Sequence, residues 1–260
     1  PEGPGPGEVE VAVLRVGICG TDLHAFRGRQ PFFNYPRILG HELGVEVIAV
    51  GSDVEALKVG DRCAVEPYLN CGTCIACRQG KTNCCEQLQV LGVHIDGGMR
   101  ERILVPAHKL HSSDSLALEQ LALVETLGIG AHAVDRGKPE KGESVLVIGA
   151  GPIGLSVIQF AQVAGAHIML LELSKGRMAF ARAHFDIAHG IESLDRVEDD
   201  LRQVFSGDLP TAVFDATGNV NSMNSAFQYV ANGGRLTLVG LVQDNITFSD
   251  PEFHRREITL

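Results

Sequence analysis

Basic residues are scarce in this chain. Its 260 residues include 22 Lys and Arg against 32 Asp and Glu, which gives a formal net charge of −10. A nucleic-acid backbone is held by clustered Lys and Arg side chains, and the sequence contains no such cluster. The composition therefore argues against nucleic acid as a partner.

The sequence also lacks a recognisable signal peptide, because no segment near its start runs from basic to apolar to small residues. A cytoplasmic location is the default expectation, although the abrupt start leaves a lost leader open. Both ends look cut. The chain stops within Glu257–Leu260, which resembles the opening of a further strand, so we expect the last domain to be incomplete.

An uninterrupted membrane span is missing as well. Ser144–Leu171 carries no charged residue and is longer than the roughly 20 residues that cross a bilayer. However, it is broken by a group of glycines and a proline, and Gln159 and Gln162 share one helical face. We therefore expect no membrane partner.

Cysteine is present in an odd number, seven, and five of the seven lie within the fifteen residues 71–85. Without a secretory signal, such a crowded set fits a reducing compartment and metal ligation better than a disulfide framework. Cys63 lies in an apolar segment and is expected to be a buried, inert thiol.

Two different patterns divide the chain. The first 120 residues or so predict short strands separated by Gly, Pro and Asp turns, which indicates a small barrel or sandwich. The predicted strands are Val9–Val16, Gly44–Gly51 and Arg62–Val65.

From about Glu140, strands and helices alternate, which is typical of a doubly wound parallel sheet and makes the fold class α/β. The predicted strands are Val145–Ile148, Ile168–Leu171, Ala212–Phe214 and Leu236–Val239; the predicted helices are Ile153–Ala164 and one that begins near Ser174. We place the domains at residues 1–125 and 126–260.

Four thiols have the spacing of a structural zinc site. Two-residue gaps let successive sulfurs point at one centre, and a closed shell of four thiolates leaves no position for substrate. The predicted ligands are Cys71, Cys74, Cys77 and Cys85. Two alternatives are a metal-free cysteine-rich loop and a site in which Cys84 replaces Cys85.

A second set of candidate ligands precedes this loop. Cys19, Thr21 and His24 fall within six residues, and His41 is followed directly by Glu42. Each alone is more often structural than a ligand. Their combination beside a four-cysteine loop favours a second, catalytic metal.

These motifs, followed by Gly-x-Gly-x-x-Gly at residues 149–154, resemble in order and spacing the medium-chain zinc-dependent alcohol and polyol dehydrogenases. The resemblance covers essentially the whole chain. It implies a GroES-like β-barrel catalytic domain at 1–125, a Rossmann dinucleotide-binding domain at 126–260, and a catalytic zinc held by Cys19, His41 and a third ligand.

The third ligand separates the branches of that family. Classical alcohol dehydrogenases have a second Cys there and sorbitol-like polyol dehydrogenases a Glu; this sequence has Glu125, and no Cys follows Cys85. The resemblance therefore implies Glu125 as the third ligand, directly or through water. A Glu that merely flanks a helix is the alternative, and Glu42 enters the metal shell in some states of the family.

One thiolate, one imidazole and at most one carboxylate leave an open position, where zinc acts as a Lewis acid on an alcohol. The resemblance implies a proton relay from the site through the hydroxyl of Thr21, the nicotinamide ribose and His24 to solvent. Glu42 is a further candidate for a role in catalysis.

The glycine motif follows a predicted strand and opens a predicted helix, the context that a dinucleotide site requires. Gly149 allows a tight turn, Gly151 allows the backbone to approach a pyrophosphate, and Gly154 allows the helix to pack closely on the strand. Pro152 and Ile153 complete this predicted cofactor-binding turn.

Glu172, eighteen residues beyond Gly154, stands where a carboxylate binds both ribose hydroxyls of NAD and repels the 2′-phosphate of NADP. Lys175 and Arg177 just beyond it keep NADP as the alternative. Thr217 lies in a segment that resembles the loop near the nicotinamide, with an ordinary turn at a strand end as the alternative.

Residues 90–99 resemble bacterial dehydrogenases of sugar acids and polyols, including hexonates; His94 in this segment either reaches the substrate or makes a structural hydrogen bond. We therefore expect interconversion of a secondary alcohol and its ketone with NAD, by a homodimer or homotetramer. The alternatives are a metal-free enzyme like the quinone reductases, and a non-catalytic regulator that binds zinc and nucleotide.

Overall fold

The computed structural model describes residues 3–260, and the chain divides into two compact units, Pro1–Glu125 and Thr126–Leu260. The strands of the first unit are β1 (Glu8–Gly17), β2 (Glu42–Val50), β3 (Arg62–Val65), β4 (Tyr68–Leu69), β5 (Gln89–Val90), β6 (Arg102–Pro106) and β7 (Leu110–Ser112). Its short helices are α1 (Gly20–Phe26), α2 (Ile75–Arg78) and α3 (Leu118–Ala122).

The first unit is built on an antiparallel five-stranded sheet with the order β6-β1-β2-β3-β7. Alternating residues of β1 and β2 point into one apolar core, and four of them are completely buried: Val9, Val11, Val45 and Val47. Two register shifts interrupt the pairing of β1 with β2. Shifts of this kind bend a strand, and they occur on the approach to Gly17 and Cys19.

Helix α4 (Val124–Gly137) is followed by the alternating elements of the second unit. The strands are β8 (Ser144–Ile148), β9 (His167–Leu171), β10 (His189–Ile191), β11 (Ala212–Asp215) and β12 (Arg235–Leu238); the helices are α5 (Pro152–Val163), α6 (Lys175–His184), α7 (Val197–Val204), α8 (Val220–Ala226) and α9 (Asp250–Arg255).

The five strands of the second unit are parallel, in the order β10-β9-β8-β11-β12. This order reverses direction between β8 and β11, and ligands of doubly wound sheets bind at such a switch point. Ile148 pairs with Leu171 on one side and with Asp215 on the other, so the three strands end level with one another. The predicted α/β class, with a Rossmann-type parallel sheet, is confirmed.

Most predicted elements begin and end within one or two residues of the observed ones, while the short strands β4, β5, β6, β7 and β10 were not predicted. Thr259 forms an isolated parallel bridge with Arg235 of β12, in line with a strand opening near Glu257–Leu260. No helix within residues 3–260 is long and apolar enough to cross a lipid bilayer.

Candidate metal centres and nucleotide-binding turn

Cys19, His41 and Glu42 come together in the first unit. Each offers a ligand atom, and the three atoms all lie within 4.8 Å of one another. Cys19 directly precedes α1, and His41 directly precedes Glu42, the first residue of β2. The predicted grouping of a thiol with an imidazole and a carboxylate is therefore present in the fold.

The Glu42 carboxylate depends on a glycine opposite it. A Cβ added to Gly17 would lie 2.0 Å from Oε2 of Glu42, so any other residue at position 17 would displace that carboxylate. Glu42 and His41 are both buried, at 6% and 5% exposure. Buried acids need a partner of opposite charge or several hydrogen bonds, and a divalent cation fits this donor set.

Asp22, which the sequence analysis did not identify as a site residue, links the two ligand segments. Its Oδ2 accepts a hydrogen bond from the N–H of Cys19 at 2.9 Å, and its Oδ1 accepts one from the N–H of Gly40 at 3.3 Å. The same Oδ1 lies 3.7 Å from Nδ1 of His41. Nδ1 itself is buried and makes no hydrogen bond within the described residues. A carboxylate that faces the imidazole of a metal ligand is a common outer partner of such a ligand.

Burial raises the pKa of the Cys19 thiol to about 11, and the charge of Glu42 adds to this, while hydrogen bonds from the backbone and the hydroxyl of Thr21 oppose it. A thiolate at this position needs compensation by a cation, because burial removes its hydration. The donor set and the burial together fit a zinc ion held by Cys19, His41 and Glu42.

Glu125 is not one of the three residues whose ligand atoms converge. Its carboxylate accepts a hydrogen bond from the hydroxyl of Tyr68. Burial raises the pKa of Glu125, the hydrogen bond and the imidazole of His41 oppose this, and the charges of Glu42 and Asp22 add to it. Glu125 therefore lies beside the metal-binding group, and its role as a direct or water-bridged ligand stays a prediction.

Residues 92–99 hold in place the segment that ends at His41. The N–H of Gly97 donates to the carbonyl of Ile38 and that of Gly98 to the carbonyl of Gly40, both at 2.8 Å. A Cβ on Gly97 would lie 2.3 Å from the Gly40 carbonyl oxygen, and a Cβ on Gly92 would lie 2.8 Å from it. The space between residues 92–98 and the segment that ends at His41 is too narrow for side chains at these two glycines.

Side chains of the same segment reinforce this contact. Asp96 accepts hydrogen bonds from the N–H of Ile38 and from the guanidinium of Arg37, each at 3.1 Å. Nδ1 of His94 accepts a hydrogen bond from the N–H of Val90 at 3.1 Å. His94 thus has the structural hydrogen bond that was one of its two expected roles.

Thr21 is half-buried and His24 is exposed, both on α1. The relay that the resemblance implies needs one group beside the reacting atoms and another at solvent. The half-buried Thr21 suits the inner position and the exposed His24 the outer one. The relay itself stays a prediction.

The four predicted structural ligands also converge, because the sulfurs of Cys71, Cys74, Cys77 and Cys85 lie within 4.8 Å of one another. Cys84 is exposed and lies outside this group. Hydrogen bonds from the hydroxyl and the N–H of Thr73 lower the pKa of Cys71 to about 6. The N–H of Cys71 in turn donates to the sulfur of Cys85 at 3.2 Å. N–H groups aimed at sulfurs stabilise thiolates, so the loop fits a structural zinc.

The glycine motif forms the turn between β8 and α5. Gly149 has φ of +94°, a backbone conformation that side chains with a Cβ rarely adopt. A Cβ on Gly154 would lie 1.9 Å from the carbonyl oxygen of Gly149, whereas a Cβ on Gly151 would meet nothing within 4 Å. The space over Gly151, at the start of a twelve-residue helix with Pro152 first, is open to an anionic group.

Glu172 follows β9 and is buried, at 7% exposure. Its Oε2 accepts a hydrogen bond from the N–H of Ala150 at 2.8 Å, and its Oε1 accepts one from the N–H of Ser174 at 2.7 Å. Each carboxylate oxygen keeps a second acceptor position, as a ribose diol requires. A guanidinium nitrogen of Arg177 lies 4.0 Å from Oε2.

Thr217 is held by Asp215, the last residue of β11. Both the N–H and the hydroxyl of Thr217 donate to Oδ1 of Asp215, at 2.9 and 2.6 Å. Oδ2 of Asp215 accepts from Ser222 at 2.6 Å, which satisfies a carboxylate that is completely buried. This geometry accounts for a structural turn; a contact of Thr217 with a nicotinamide stays a prediction.

Comparison with known proteins agrees with this arrangement. Residues 5–115 match the family model of the alcohol dehydrogenase GroES-like domain, and residues 152–260 match that of the zinc-binding dehydrogenases. Within the described residues, the first match contains both groups of candidate metal ligands, and the second contains Gly154 and Glu172.

Individual relatives match nearly all of the chain. It is 42% identical to the L-galactonate-5-dehydrogenase of Escherichia coli K12, over 99% of this chain and 76% of that protein. It is 35% identical to the sorbitol dehydrogenase of Bacillus subtilis, over 92% and 69%. A solved structure of an Escherichia coli CFT073 protein, described as a short chain alcohol dehydrogenase complexed with NADH, is 32% identical, with a TM-score of 0.90 over 98% of this chain and 75% of that one.

Proposed function

Because the chain belongs to the zinc-binding alcohol dehydrogenases with a GroES-like domain, we propose that it interconverts a secondary alcohol and its ketone with NAD as the hydride carrier. The alcohol is a polyol or a sugar acid. Two zinc ions belong to the enzyme, one at each group of converging ligands.

The convergence of Cys19, His41 and Glu42 carries this proposal. Three protein ligands of mixed type are the pattern of catalytic zinc, whereas structural zinc takes four. Both patterns occur in the same unit, so a purely structural metal does not account for the second one. This observation favours a zinc-dependent dehydrogenase over an enzyme without catalytic metal and over the regulator.

When bound, zinc would supply Lewis-acid activation of the alcohol oxygen, and NAD would accept the hydride. The protein's own residues would do the rest. Asp22 would hold the backbone segments of Cys19 and His41 together, and Thr21 and His24 would lead a proton towards solvent. The turn at residues 149–154 receives the pyrophosphate, and Glu172 takes the ribose hydroxyls, which favours NAD over NADP.

The substrate class rests on two kinds of support. The relatives named after L-galactonate and sorbitol both act, by those names, on polyhydroxy compounds. In addition, Glu125 rather than a Cys stands beside the ligand group, as in the polyol branch of the family. A hexonate or a related polyol is therefore the substrate we propose.

A panel of polyols and hexonates, with NAD and with NADP, tests the proposal through the absorbance of the reduced cofactor. We expect turnover of at least one secondary alcohol with NAD, and loss of turnover when a chelator removes the metal. One zinc ion per chain, together with reduction of a quinone, would support the alternative in which the enzyme has no catalytic metal. NADH binding without oxidation of any alcohol in the panel would support the regulator.

Assembly and location complete the proposal. We expect a homodimer or homotetramer, as is common in the family, and a reducing compartment such as the cytoplasm, where the clustered thiols stay available to zinc. Analytical ultracentrifugation of the zinc-loaded protein measures its oligomeric state. A monomer at micromolar concentration would contradict it.

A further inference from the structure

The hydroxyl of Tyr68 donates a hydrogen bond to Oε1 of Glu125. Tyr68 lies in β4, and Glu125 lies in the first turn of α4. The bond therefore joins two segments that are 57 residues apart in the sequence. Neither residue belongs to the three whose ligand atoms converge.

This pair nevertheless borders the metal-binding group. The charges of His41, Glu42 and Asp22 all act on the carboxylate of Glu125. Burial is the main cause that raises the pKa of Tyr68, and Glu125, Cys19 and Glu42 add to it. Of the groups that raise this pKa, Glu125 is the one to which the hydroxyl donates a hydrogen bond.

Two carboxylates, Glu42 and Glu125, therefore stand beside one cation site. A divalent metal attracts both, but a catalytic zinc must keep one coordination position open for substrate. If both carboxylates bound together with Cys19 and His41, four protein ligands would close the shell. Something has to keep one carboxylate away from the metal.

We propose that Tyr68 is the positioning residue that does so. Its hydroxyl occupies an acceptor position of Glu125 and restrains that carboxylate, so that Cys19, His41 and Glu42 are the protein ligands and the fourth position stays available to the alcohol. This inference rests on the proposed function, because it assumes a metal at that group.

The backbone around Tyr68 suits a positioning role. Tyr68 pairs with Val90 in the small sheet formed by β4 and β5, and the N–H of Leu91 donates to the carbonyl of Pro67 at 3.0 Å. Three residues after Tyr68 comes Cys71, the first thiol of the four-cysteine loop. A zinc in that loop would fix the end of β4 and, with it, the position from which the hydroxyl reaches Glu125.

Tyr68→Phe removes the hydroxyl and little else. We expect the cobalt-substituted, full-length protein to change its visible absorption as Glu125 enters the metal shell, and X-ray absorption to detect one additional oxygen ligand. Turnover should fall by about 10- to 100-fold, the usual effect of losing a group that orients a metal ligand. Tyr35→Phe is the matched control, because the hydroxyl of Tyr35 donates only to the carbonyl of Ala25 in the same unit.

Glu125→Gln supplies a second test that does not depend on the stability of the Tyr68 variant. An amide is a poor zinc ligand, so Glu125→Gln should leave the cobalt spectrum of the parent nearly unchanged, and the double variant with Tyr68→Phe should regain the parental spectrum. A parental spectrum in Tyr68→Phe at full cobalt loading would overturn the inference. So would loss of the metal from Glu125→Gln.

The outcomes separate this inference from the proposed function. If the parent binds metal only at the four thiols, the proposed function and the role of Tyr68 both fail. If the parent binds metal at both groups and oxidises an alcohol but Tyr68→Phe behaves like Tyr35→Phe, only the role of Tyr68 fails.

Discussion

Oδ1 of Asp22 lies 3.7 Å from Nδ1 of His41, and both side chains are buried. The same carboxylate accepts the N–H of Cys19 and of Gly40. A single acid therefore links the two backbone segments that carry the side chains of Cys19 and His41.

Asp22→Asn should weaken metal binding at the group that contains His41. Asparagine keeps the shape of the side chain but removes the charge and one acceptor oxygen, and loss of such a partner typically costs about 10- to 100-fold in metal affinity. Titration with a chelator, followed by zinc release, measures the effect. Asp53→Asn, at an exposed position, is the control; equal zinc affinity in the two variants would show that Asp22 does not support the metal.

Cys19→Ser should abolish turnover and release one of two zinc ions, while NADH affinity stays nearly the same because the predicted nucleotide contacts lie in residues 149–217. Serine is a much poorer zinc ligand than a thiolate. Cys84→Ser is the matched control, since Cys84 is exposed and outside both groups of converging ligands. An unchanged kcat in Cys19→Ser would contradict the assignment of Cys19 as a ligand of the catalytic metal.

Glu172→Ala should weaken NAD binding by about 10- to 100-fold, which corresponds to the loss of hydrogen bonds to a charged acceptor. It should weaken NADP binding much less, because the carboxylate that repels the 2′-phosphate is gone. Calorimetric titration with both cofactors measures the ratio. The exposed Glu192→Ala is the control, and a parental NAD to NADP ratio in Glu172→Ala would contradict the assignment.

Glu143 provides a test of stability against pH. Burial opposes its ionisation, but hydrogen bonds from the hydroxyl of Thr211 (2.5 Å), the N–H of Glu140 (2.7 Å) and the guanidinium of Arg235 (2.6 Å) outweigh burial and lower its pKa. A carboxyl whose pKa is lower in the folded than in the unfolded chain stabilises the fold above the unfolded value, about 4.3 for Glu. That contribution is lost as the pH falls further, through the folded pKa.

We therefore expect the unfolding free energy of Glu143→Gln to depend less on pH than that of the parent below about pH 5. Urea unfolding at a series of pH values measures the difference. Glu140→Gln, an exposed change in the same turn, should follow the parent. Parallel curves for parent and Glu143→Gln would exclude a role of this ion pair with Arg235.

Local patterns predicted the second unit well. β8, its glycine turn and α5 follow one another within 20 residues, Ser144–Val163, and each is specified by its own sequence: an apolar run, glycines and an apolar helix. The four thiols were identified for the same reason, since their spacing alone brings them together. Parallel pairing then fixes which strand ends meet, so the position of Glu172 beside the turn also followed from the sequence.

Relationships between distant segments were not predictable in this way. β6 owes its existence to pairing with β1, more than 80 residues earlier, where Val9 faces Val105. Arg102–Pro106 contains only the three-residue apolar run Ile103–Val105 before a proline, which is too short a pattern to predict a strand by itself. β10 is only three residues long and contains His189 and Gly190, which have little strand propensity.

Asp22 and Tyr68 were overlooked for a related reason. The partners that give them a role, Gly40 and Glu125, are 18 and 57 residues away in the sequence. One local clue existed for Asp22: an acid three residues after the residue that precedes a helix commonly accepts that residue's N–H. No comparable clue marks Tyr68.

The glycine contacts behind His41 limit how this protein can be redesigned. Gly92 and Gly97 touch the backbone of Gly40 so closely that a methyl group on either would overlap its atoms. In a mutant library that covers residues 92–99, most substitutions at these two positions would therefore give proteins with defective folding. Changes confined to other positions would leave the backbone contacts behind His41 intact.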